Sequence, residues 1–347
     1  MEQNEIYAAL PGVLLPWYEK NARDLPWRHT KEPYRVWVSE IMLQQTRVEA
    51  VIGYYERFME AFPTVQALAE ADEARVLKLW EGLGYYSRAR NLQKTAKLLT
   101  ETQNGAFPDT AEALEKLPGI GAYTAGAVAS ICFEQPAAAV DGNVLRIIMR
   151  MTADGRPIDL PQVKKEIGEA LCKVYPKGHC GAFTQALMEL GATVCGPNRA
   201  PQCEVCPIAA LCLARAHGTA AALPVKAPKR AKRAEDYTVF CLRCGDRLAV
   251  ERRPEHGLLA GLWELPNTPG LLDERQAGEY ASGQGLGDVR LRSARDGRHI
   301  FTHIVWTMRC YTLECSAMPP RYHWATPDEL REEISLPTAF RQFVDAE

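Results

Sequence analysis

The sequence predicts a protein of two domains, an all-α domain followed by a small α+β domain. Its 347 residues exceed the length of one typical domain. Up to about residue 222, apolar residues recur three and four positions apart, as in Val144, Leu145, Ile148 and Met149, which is typical of helices. After about residue 236 the pattern becomes strand-like. The predicted parts are an α domain over 1–222, a linker over 223–235 and an α+β domain over 236–347.

Composition narrows the class of protein further. A hydrophobic fraction of 47% with 24% charged residues is typical of globular proteins and excludes disorder. The acidic start and the lack of a long apolar run indicate neither a signal peptide nor a membrane span, so we expect a cytoplasmic protein. In that reducing compartment, 11 cysteines are metal ligands or buried thiols. The net charge of -2 argues against a strongly basic nucleic-acid binder.

One segment of the α domain has the pattern of a helix-hairpin-helix. Residues 114–127 combine a short helix, the turn Pro118-Gly119-Ile120-Gly121, and a second helix rich in Ala and Gly. Glycines let backbone N–H groups approach a ligand closely, and a helix N-terminus attracts anions, so this segment suits a DNA phosphate. The alternative is an ordinary helix corner with glycines for packing.

The linker is basic, because residues 205–234 contain no carboxylate. Pro224 and Pro228 make it stiff. Its basic run is either solvated or in contact with phosphate. Beyond it, a Gly245-Asp246 turn between two apolar runs predicts a β-hairpin. We expect a long strand-rich segment over residues 299–311 and a helix capped by Thr326, with Pro327 in its first turn and Glu329 three residues after the cap.

Four cysteines close together in the sequence predict a metal centre. Seven, two and five residues separate Cys195, Cys203, Cys206 and Cys212. Four thiolates within 18 residues can bind one soft centre, either zinc or an iron-sulfur cluster, and spacing does not choose between them. The alternative is four buried thiols. Arg199, in the first loop, is placed to reach a phosphate.

Two carboxylates stand in unusual surroundings. Glu40 is the only charge in residues 36–43, so burial would favour its protonated form, as a general acid requires. Asp141 follows an apolar run and precedes a helix. The alternatives are a solvated charge at Glu40 and a helix N-cap at Asp141. As a pair, they would provide an acid for the leaving group and a carboxylate for a sugar cation, the division of labour that breaks glycosidic bonds.

Together these motifs resemble the adenine DNA glycosylases of the MutY family, in the endonuclease III superfamily, over essentially the whole chain. The matching segments, in order, are residues 39–46, 82–88, 117–121 and 140–143, followed by the four cysteines. The resemblance implies a helix-hairpin-helix glycosylase domain with a 4Fe-4S cluster and a Nudix-like domain that reads 8-oxoguanine. It implies removal of adenine paired with 8-oxoguanine or guanine in duplex DNA, as the first step of base excision repair, by a monomer. If the protein is bacterial, the resemblance also implies association with the nucleoid.

The resemblance also assigns roles to single residues. It implies that Glu40 protonates adenine at N7, that Asp141 stabilises the oxocarbenium-like state, and that Tyr123 and Asn143 support this chemistry. Other matched positions line the adenine pocket, wedge into the duplex or bind its backbone: Arg28 and Gln185 for the pocket, Gln45 and Tyr85 for the wedge, Gly119 and Gly121 for the backbone. The adenine must be flipped out of the stack to be reached.

Departures from the family pattern refine the expected function. Residues 261–266 resemble a Nudix segment, but the glutamate-rich metal-binding box that would follow is absent, so we expect recognition without pyrophosphate hydrolysis. Phe301-Thr302-His303 matches the family's Phe-Ser-His loop with Thr for Ser, which bears on discrimination of the lesion. The first cysteine gap is one residue longer than the family's usual six.

Tyr123 stands where backbone-cutting members of the superfamily have a nucleophilic Lys. A phenol does not form a Schiff base with the sugar, so we expect a monofunctional glycosylase. Two alternatives remain: a bifunctional glycosylase and lyase of the endonuclease III type, and a non-catalytic iron-sulfur protein that binds DNA.

Overall fold

The computed structural model describes residues 3–197, 200–227 and 231–344, and the chain divides into two compact units. The first unit comprises Met1–Glu70 and Asn91–Pro228, and the second comprises Ala71–Arg90 and Lys229–Glu347. The second unit therefore includes a segment that precedes much of the first in sequence. The domain bounds given above stay a prediction. Within the described residues, no helix has the length and apolar character needed to cross a membrane.

The first unit is helical, as its periodicity predicts. Helix α5 (Glu73–Leu79) belongs to the second unit, and helix α6 (Ser87–Gln103) begins in the second unit and continues into the first. The other helices of the first unit are α1 (Gln3–Asn21), α2 (Pro33–Leu43), α3 (Val48–Ala61), α4 (Val65–Glu70), α7 (Ala111–Leu114), α8 (Ala122–Phe133), α9 (Gly142–Met151), α10 (Pro161–Cys172), α11 (Cys180–Thr193) and α12 (Leu213–Ala216), with 3-10 turns at Pro26–Arg28 and Ala209–Leu211.

Helix α9 lies at the centre of the main core of this unit. Its apolar side chains, such as Val144 and Ile148, are almost completely buried and pack with Leu10 of α1 and Phe183 of α11. Burying such side chains stabilises a fold by about 1.5–3 kcal/mol each. The core therefore fixes the N-terminal end of α9, where Asp141 stands.

The helix-hairpin-helix is formed by α7, α8 and the turn between them. The Thr110 side chain accepts a hydrogen bond from Ala113 N and caps α7, while Gly121 is the N-cap of α8. Gly119 has a φ of +73°, and a Cβ there would lie 2.5 Å from Cβ of Asn91. Both the left-handed backbone and the close approach require glycine at this position.

The second unit contains a mixed seven-stranded sheet in which β1 pairs in parallel with β6. The path β3-β2-β1-β6-β5 is extended by β4 beside β1 and β7 beside β2. Helix α13 begins with a capping box formed by Asp273 and Gln276. The elements are β1 (Arg233–Cys244), β2 (Arg247–Arg252), β3 (Trp263–Glu264), β4 (Asn267–Pro269), α13 (Glu274–Ser282), β5 (Val289–Ile300), β6 (Ile304–Cys315), β7 (His323–Ala325), α14 (Pro327–Glu332) and α15 (Thr338–Arg341).

Alternation along β1 divides the core of this sheet between its two faces. Val239 and Cys241 pack with Phe340 of α15, whereas Phe240 and Leu242 pack with Ala277 of α13. Residues two apart in a strand share a face, so an uninterrupted apolar run along β1 supplies side chains to the core on both faces of the sheet. The result is a sheet covered by helices on both faces, the α+β architecture that the sequence predicts.

Three local predictions in this unit are confirmed. The β1–β2 hairpin turns at Gly245, whose φ is +62°, and the Thr326 and Glu329 side chains form the predicted capping box. The segment over residues 299–311 is strand-rich, and it contains a turn that the sequence did not indicate, because β5 ends at Ile300 and β6 begins at Ile304. The three residues between them form a tight turn, closed by a hydrogen bond from Phe301 N to Ile304 O of 2.8 Å.

The predicted linker is ordered where it is described. Leu223 is buried and its carbonyl accepts from Arg150 Nε at 2.7 Å, while Val225 O accepts from Ile158 N at 2.9 Å. Strand β1 begins at Arg233, inside the segment expected to be linker. Arg199, Pro228, Lys229 and Arg230 lie outside the described residues.

Candidate active site

One cavity of the first unit brings together six residues that the sequence singled out. The cavity has a volume of about 180 Å³ and lies among the 3-10 turn Pro26–Arg28 and helices α2, α8, α9 and α11. The six residues, which form part of its lining, are Arg28, Glu40, Tyr123, Asp141, Asn143 and Gln185. Positions separated by up to 157 residues in the sequence thus share one space of the size that takes a small ligand.

Glu40 is a buried carboxyl group on helix α2. Only 5% of the residue is exposed, and Tyr123 donates a hydrogen bond from its hydroxyl to Oε2 at 2.7 Å. Burial raises the pKa of Glu40 to about 7, and the nearby charge of Asp141 adds to the rise. Because the solvated-charge alternative requires an exposed side chain, the structure contradicts it. A carboxyl with this pKa holds a proton near neutral pH.

The raised pKa of Glu40 predicts a pH dependence of stability. The folded protein holds this proton up to a pKa of about 7, whereas an ordinary Glu releases it near 4.5. Between these values the folded state binds more protons than the unfolded state, so the stability from this group is full below 4.5 and is lost as the pH rises through about 7. We expect Glu40→Gln to reduce the fall in Tm between about pH 5 and about pH 8.

The matched control for that comparison is Glu134→Gln, because Glu134 is half-buried and hydrogen-bonded to Lys31 and Cys180 N away from the cavity. Hydrogen bonds lower the pKa of Glu134 against the opposing effect of burial, so its pH dependence has the opposite sign. An unchanged Tm difference between the two pH values in Glu40→Gln would contradict the assignment.

Asp141 is both a helix cap and a wall of the cavity. Its Oδ1 accepts from the backbone N–H groups of Asn143 at 2.9 Å and Val144 at 2.8 Å, and its Oδ2 accepts from Asn143 Nδ2 at 2.7 Å. Burial raises the pKa of Asp141, while these three hydrogen bonds favour the charged form. The capping alternative is therefore correct, and it is compatible with a carboxylate held in fixed orientation at the cavity.

Two side chains of the cavity lining, Arg28 and Gln185, are held by residues that were not predicted from the sequence. Glu189 of α11 is fully buried and accepts from Arg23 Nε at 2.7 Å and Arg28 NH2 at 2.6 Å. Burial by itself would raise the pKa of Glu189, but the hydrogen bonds from the two arginines bring it below its usual value. Tyr18 donates from its hydroxyl to Gln185 Oε1 at 2.6 Å. These contacts fix the positions of Arg28 and Gln185.

A signal for Glu189 was present in the sequence. It is the only charge in helix α11, as Glu40 is the only charge in its own apolar segment. The same criterion would have found both. Trp27 and Met188 also line the cavity, and no sequence pattern marks them.

The four cysteines of the predicted metal centre line a second, apolar cavity in the first unit. Burial raises the pKa of Cys206 to about 11, and the other three thiols add to the rise. Arg150 donates a hydrogen bond from NH1 to Cys195 Sγ at 3.1 Å. Among residues 3–197, 200–227 and 231–344, no three His, Cys, Asp or Glu side chains are spaced to hold a metal ion.

Helix α9 connects the two cavities. Arg146 donates from NH2 to Asn143 Oδ1 at 2.8 Å and from Nε to Cys195 O at 2.7 Å. A Cβ at Gly191 would lie 2.6 Å from Cβ of Asn143, so glycine lets α11 approach this end of α9. A shift of Cys195 would therefore move Arg146 and, through it, Asn143, which is hydrogen-bonded to Asp141.

The residues expected to touch DNA lie outside the active-site cavity. Gln45 and Tyr85 have exposed side chains and left-handed backbones, with φ of +58° and +48°. Such conformations cost about 1–3 kcal/mol in residues other than glycine and cluster at functional sites. Gly119 and Gly121 lie in the hairpin described above.

The Phe301-Thr302-His303 turn is in the second unit. Phe301 is partly buried and its ring lies 4.9 Å from that of Trp306, while Thr302 and His303 are exposed. Phe301 therefore anchors the turn, and the other two side chains face solvent. The Thr302 hydroxyl lies 2.7 Å from that of Tyr85, within the same unit.

Comparison with known proteins places this geometry in a family. The model of the HhH-GPD superfamily of base excision DNA repair proteins matches residues 38–173, and a NUDIX domain model matches residues 238–346. Adenine DNA glycosylase of Mus musculus is 36% identical, over 97% of this chain and 78% of the relative. That of Homo sapiens is 37% identical, over 92% of this chain and 71% of the relative.

The chain belongs to the adenine DNA glycosylase family. It is a DNA glycosylase of base excision repair, and the predicted family and two-domain fold are confirmed.

Solved structures similar to the chain share the helical fold of its first part. A thermostable thymine-DNA glycosylase aligns with a TM-score of 0.56 and 29% identity, over 62% of this chain and 98% of the other. A trapped endonuclease III-DNA covalent intermediate aligns with a TM-score of 0.53 and 25% identity, over 63% of this chain and 99% of the other. The adenine DNA glycosylase family therefore shares this helical fold with glycosylases of other specificities.

Proposed function

We propose that this glycosylase acts as a monomer on double-stranded DNA, removes adenine paired with 8-oxoguanine or guanine, and leaves the DNA backbone intact. The observation that carries the proposal is the cavity lined by both Glu40 and Asp141, one a proton donor near neutral pH and the other a hydrogen-bonded carboxylate. The cytoplasmic or nucleoid location stays a prediction.

The reaction requires a proton donor and a negative charge around one glycosidic bond. Adenine, flipped out of the duplex, is held by Arg28 and Gln185, and Glu40 gives its proton to N7. The C1′–N9 bond then breaks, and its electron pair leaves with the neutral base. Asp141 stabilises the positive charge that develops on the sugar. Water then captures the cation to give an abasic site, and the proton that the water loses restores the carboxyl group of Glu40.

Tyr123 and Asn143 orient the two carboxyl groups. The Tyr123 hydroxyl donates to Glu40 Oε2, and burial raises the pKa of Tyr123 well above its usual value, so it remains a neutral donor. Asn143 holds Oδ2 of Asp141 through its amide. Fixed orientation of this kind supports proton transfer and charge stabilisation without reorganisation during the reaction.

The hydroxyl of Tyr123 also distinguishes this proposal from a bifunctional enzyme. A lyase needs an amine that forms a Schiff base with the sugar, and Tyr123 does not supply one. Single-turnover cleavage of an adenine:8-oxoguanine duplex should therefore give strand breaks only after hot alkali. Breaks without alkali, or a covalent adduct trapped by borohydride, would favour the lyase. The Glu40–Asp141 cavity counts against a non-catalytic iron-sulfur protein.

Contacts to DNA are proposed at three places. The glycine turn of the hairpin offers backbone N–H groups to a phosphate, and Gln45 and Tyr85 wedge into the duplex. Both wedge residues have an exposed side chain and a strained, left-handed backbone, which supports this role. Thr302 and His303 read 8-oxoguanine, and the Nudix-like domain recognises the lesion without hydrolysing pyrophosphate. Solved endonuclease III-DNA complexes similar to the first part of the chain support DNA as the partner.

We further propose that Cys195, Cys203, Cys206 and Cys212 hold a 4Fe-4S cluster. Four thiols line one apolar cavity, with Arg150 beside the first, and cysteine thiolates are the ligands that hold iron-sulfur clusters. The cluster would join the four thiolates and so fix the loop on which Arg146 and Asn143 depend.

Replacing one cysteine tests the cluster. Cys206→Ser should lose the broad absorbance near roughly 400 nm, lower the iron content and lower Tm, because a ligand of the cluster is removed. Cys172→Ser is the control, since Cys172 is half-buried and does not line the cavity. Zinc in place of iron in anaerobically purified wild-type protein would overturn the assignment.

A further inference from the structure

Lys78 and Glu81 form a nearly buried pair at the end of α5 in the second unit. Their side chains are 13% and 7% exposed, and Lys78 Nζ lies 2.8 Å from Glu81 Oε2. Lys78 Nζ also donates to Leu330 O at 2.8 Å and Ile334 O at 3.0 Å, at the end of α14. One ammonium thus satisfies helix-end carbonyls more than 250 residues away in the sequence.

Both carboxylate oxygens of Glu81 also contact residues near the C-terminus. Glu81 Oε1 accepts from Leu336 N at 2.7 Å, and Oε2 also pairs with Arg341 of α15. We call Lys78, Glu81 and these partners the Lys78–Glu81 node. Buried charges are costly unless they are paired and hydrogen-bonded, so all groups of the node keep one geometry.

The loop after the node leads to Tyr85, and side-chain hydrogen bonds hold its carbonyl groups. Trp80 donates from Nε1 to Gly84 O at 3.1 Å, and Arg88 donates from NH2 to Leu83 O and Gly84 O, both at 3.1 Å. The Arg88 guanidinium lies 5.2 Å from the centre of the Trp80 ring. These contacts maintain the left-handed backbone of Tyr85, which is 47% exposed.

The turn that carries Thr302 is fixed by the same C-terminal helices. Phe340 of α15 and Phe301 of the turn both pack edge-on against Trp306, at 6.0 and 4.9 Å. Arg295 of β5 donates to Gln342 O, just after α15. Helix α15 therefore contacts Glu81 on one side and the β5–β6 hairpin on the other, and the Tyr85 and Thr302 hydroxyls meet at 2.7 Å.

We propose that Lys78 and Glu81 are positioning residues that hold Tyr85 and Thr302 as one composite contact to the target base pair. The node thereby sets how strongly the enzyme prefers adenine opposite 8-oxoguanine over adenine opposite guanine. This inference rests on the proposed function, in which Tyr85 wedges into the duplex and Thr302 reads the lesion.

The test compares Lys78→Met and Glu81→Gln with wild type in the full-length protein. Lys78→Met keeps an apolar stem and removes the donors, and Glu81→Gln keeps an acceptor for Leu336 N but loses the charge. Single-turnover rates, and Kd for duplexes with non-cleavable 2′-fluoro-adenosine, are measured opposite 8-oxoguanine and opposite guanine. We expect the ratio of 8-oxoguanine to guanine affinities to fall about tenfold, as for a lost hydrogen bond.

Two controls separate positioning from general stability. Arg275→Gln breaks an exposed ion pair with Glu279 in the same unit and should leave the ratio unchanged. In a Tyr85→Phe background the composite contact is already broken, so adding Lys78→Met should change the ratio by less than about twofold. Circular dichroism and Tm verify folding. If Lys78→Met does not fold, the affinity ratio of Glu81→Gln tests the inference.

An unchanged ratio in folded variants would overturn the inference, as would an effect of Lys78→Met that adds fully to that of Tyr85→Phe. If wild type releases no adenine opposite 8-oxoguanine, the proposed function itself fails. The two failures are therefore distinguishable.

Discussion

Glu40→Gln is expected to reduce the single-turnover rate of adenine excision by about 10²–10⁴-fold, because it removes the general acid. Gln has nearly the same shape and still accepts the hydrogen bond that Tyr123 donates to Glu40. It has no proton of suitable acidity to give to N7. DNA affinity, measured as Kd for an adenine:8-oxoguanine duplex, should therefore stay close to that of wild type.

Glu134→Gln is the matched control for this effect, since Glu134 is half-buried and does not line the cavity. Its excision rate should equal that of wild type. Turnover retained by Glu40→Gln would remove Glu40 from the acid role. A rate loss with a parallel loss of DNA binding would indicate a structural rather than a chemical part for this residue.

Asp141→Asn is expected to reduce excision by about 10²–10³-fold, because the carboxylate that stabilises the sugar cation becomes neutral. Asn is also a good N-cap, so helix α9 should keep its start and Tm should change little. The rate and the stability are thus expected to separate, which a purely capping role for Asp141 does not allow.

Asp273→Asn provides the comparison, because Asp273 caps α13 with the same kind of side-chain to backbone hydrogen bond. It should match Asp141→Asn in its small effect on Tm and match wild type in its rate. If Asp141→Asn excises adenine at the wild-type rate, the carboxylate is only a cap.

Local patterns predicted the parts of this protein that depend on neighbouring residues. The Gly245 turn, the Thr326 capping box and the isolation of Glu40 in an apolar helix each follow from a few adjacent positions. The turn within the strand-rich segment over residues 299–311 was not predicted, because strand-forming residues flank it on both sides and nothing in Phe301-Thr302-His303 resembles a standard turn sequence.

Long-range contacts could not be predicted in this way. Glu189 joins Arg28 across 161 residues, and Tyr85 meets Thr302 across 217. No periodicity or spacing relates such pairs, since only the folded packing of distant elements brings them together. For the same reason the grouping of Ala71–Arg90 with the C-terminal part of the chain had no signal in the sequence.

The central claim is that the cavity of Glu40 and Asp141 releases adenine from its pair with 8-oxoguanine. The most direct measurement is mass-spectrometric quantification of the free base in a single turnover, with otherwise identical duplexes that pair adenine with 8-oxoguanine, guanine or thymine. We predict one equivalent of free adenine from the 8-oxoguanine duplex, slower release opposite guanine and none opposite thymine. Release of another base, or no adenine from the 8-oxoguanine duplex, would contradict it.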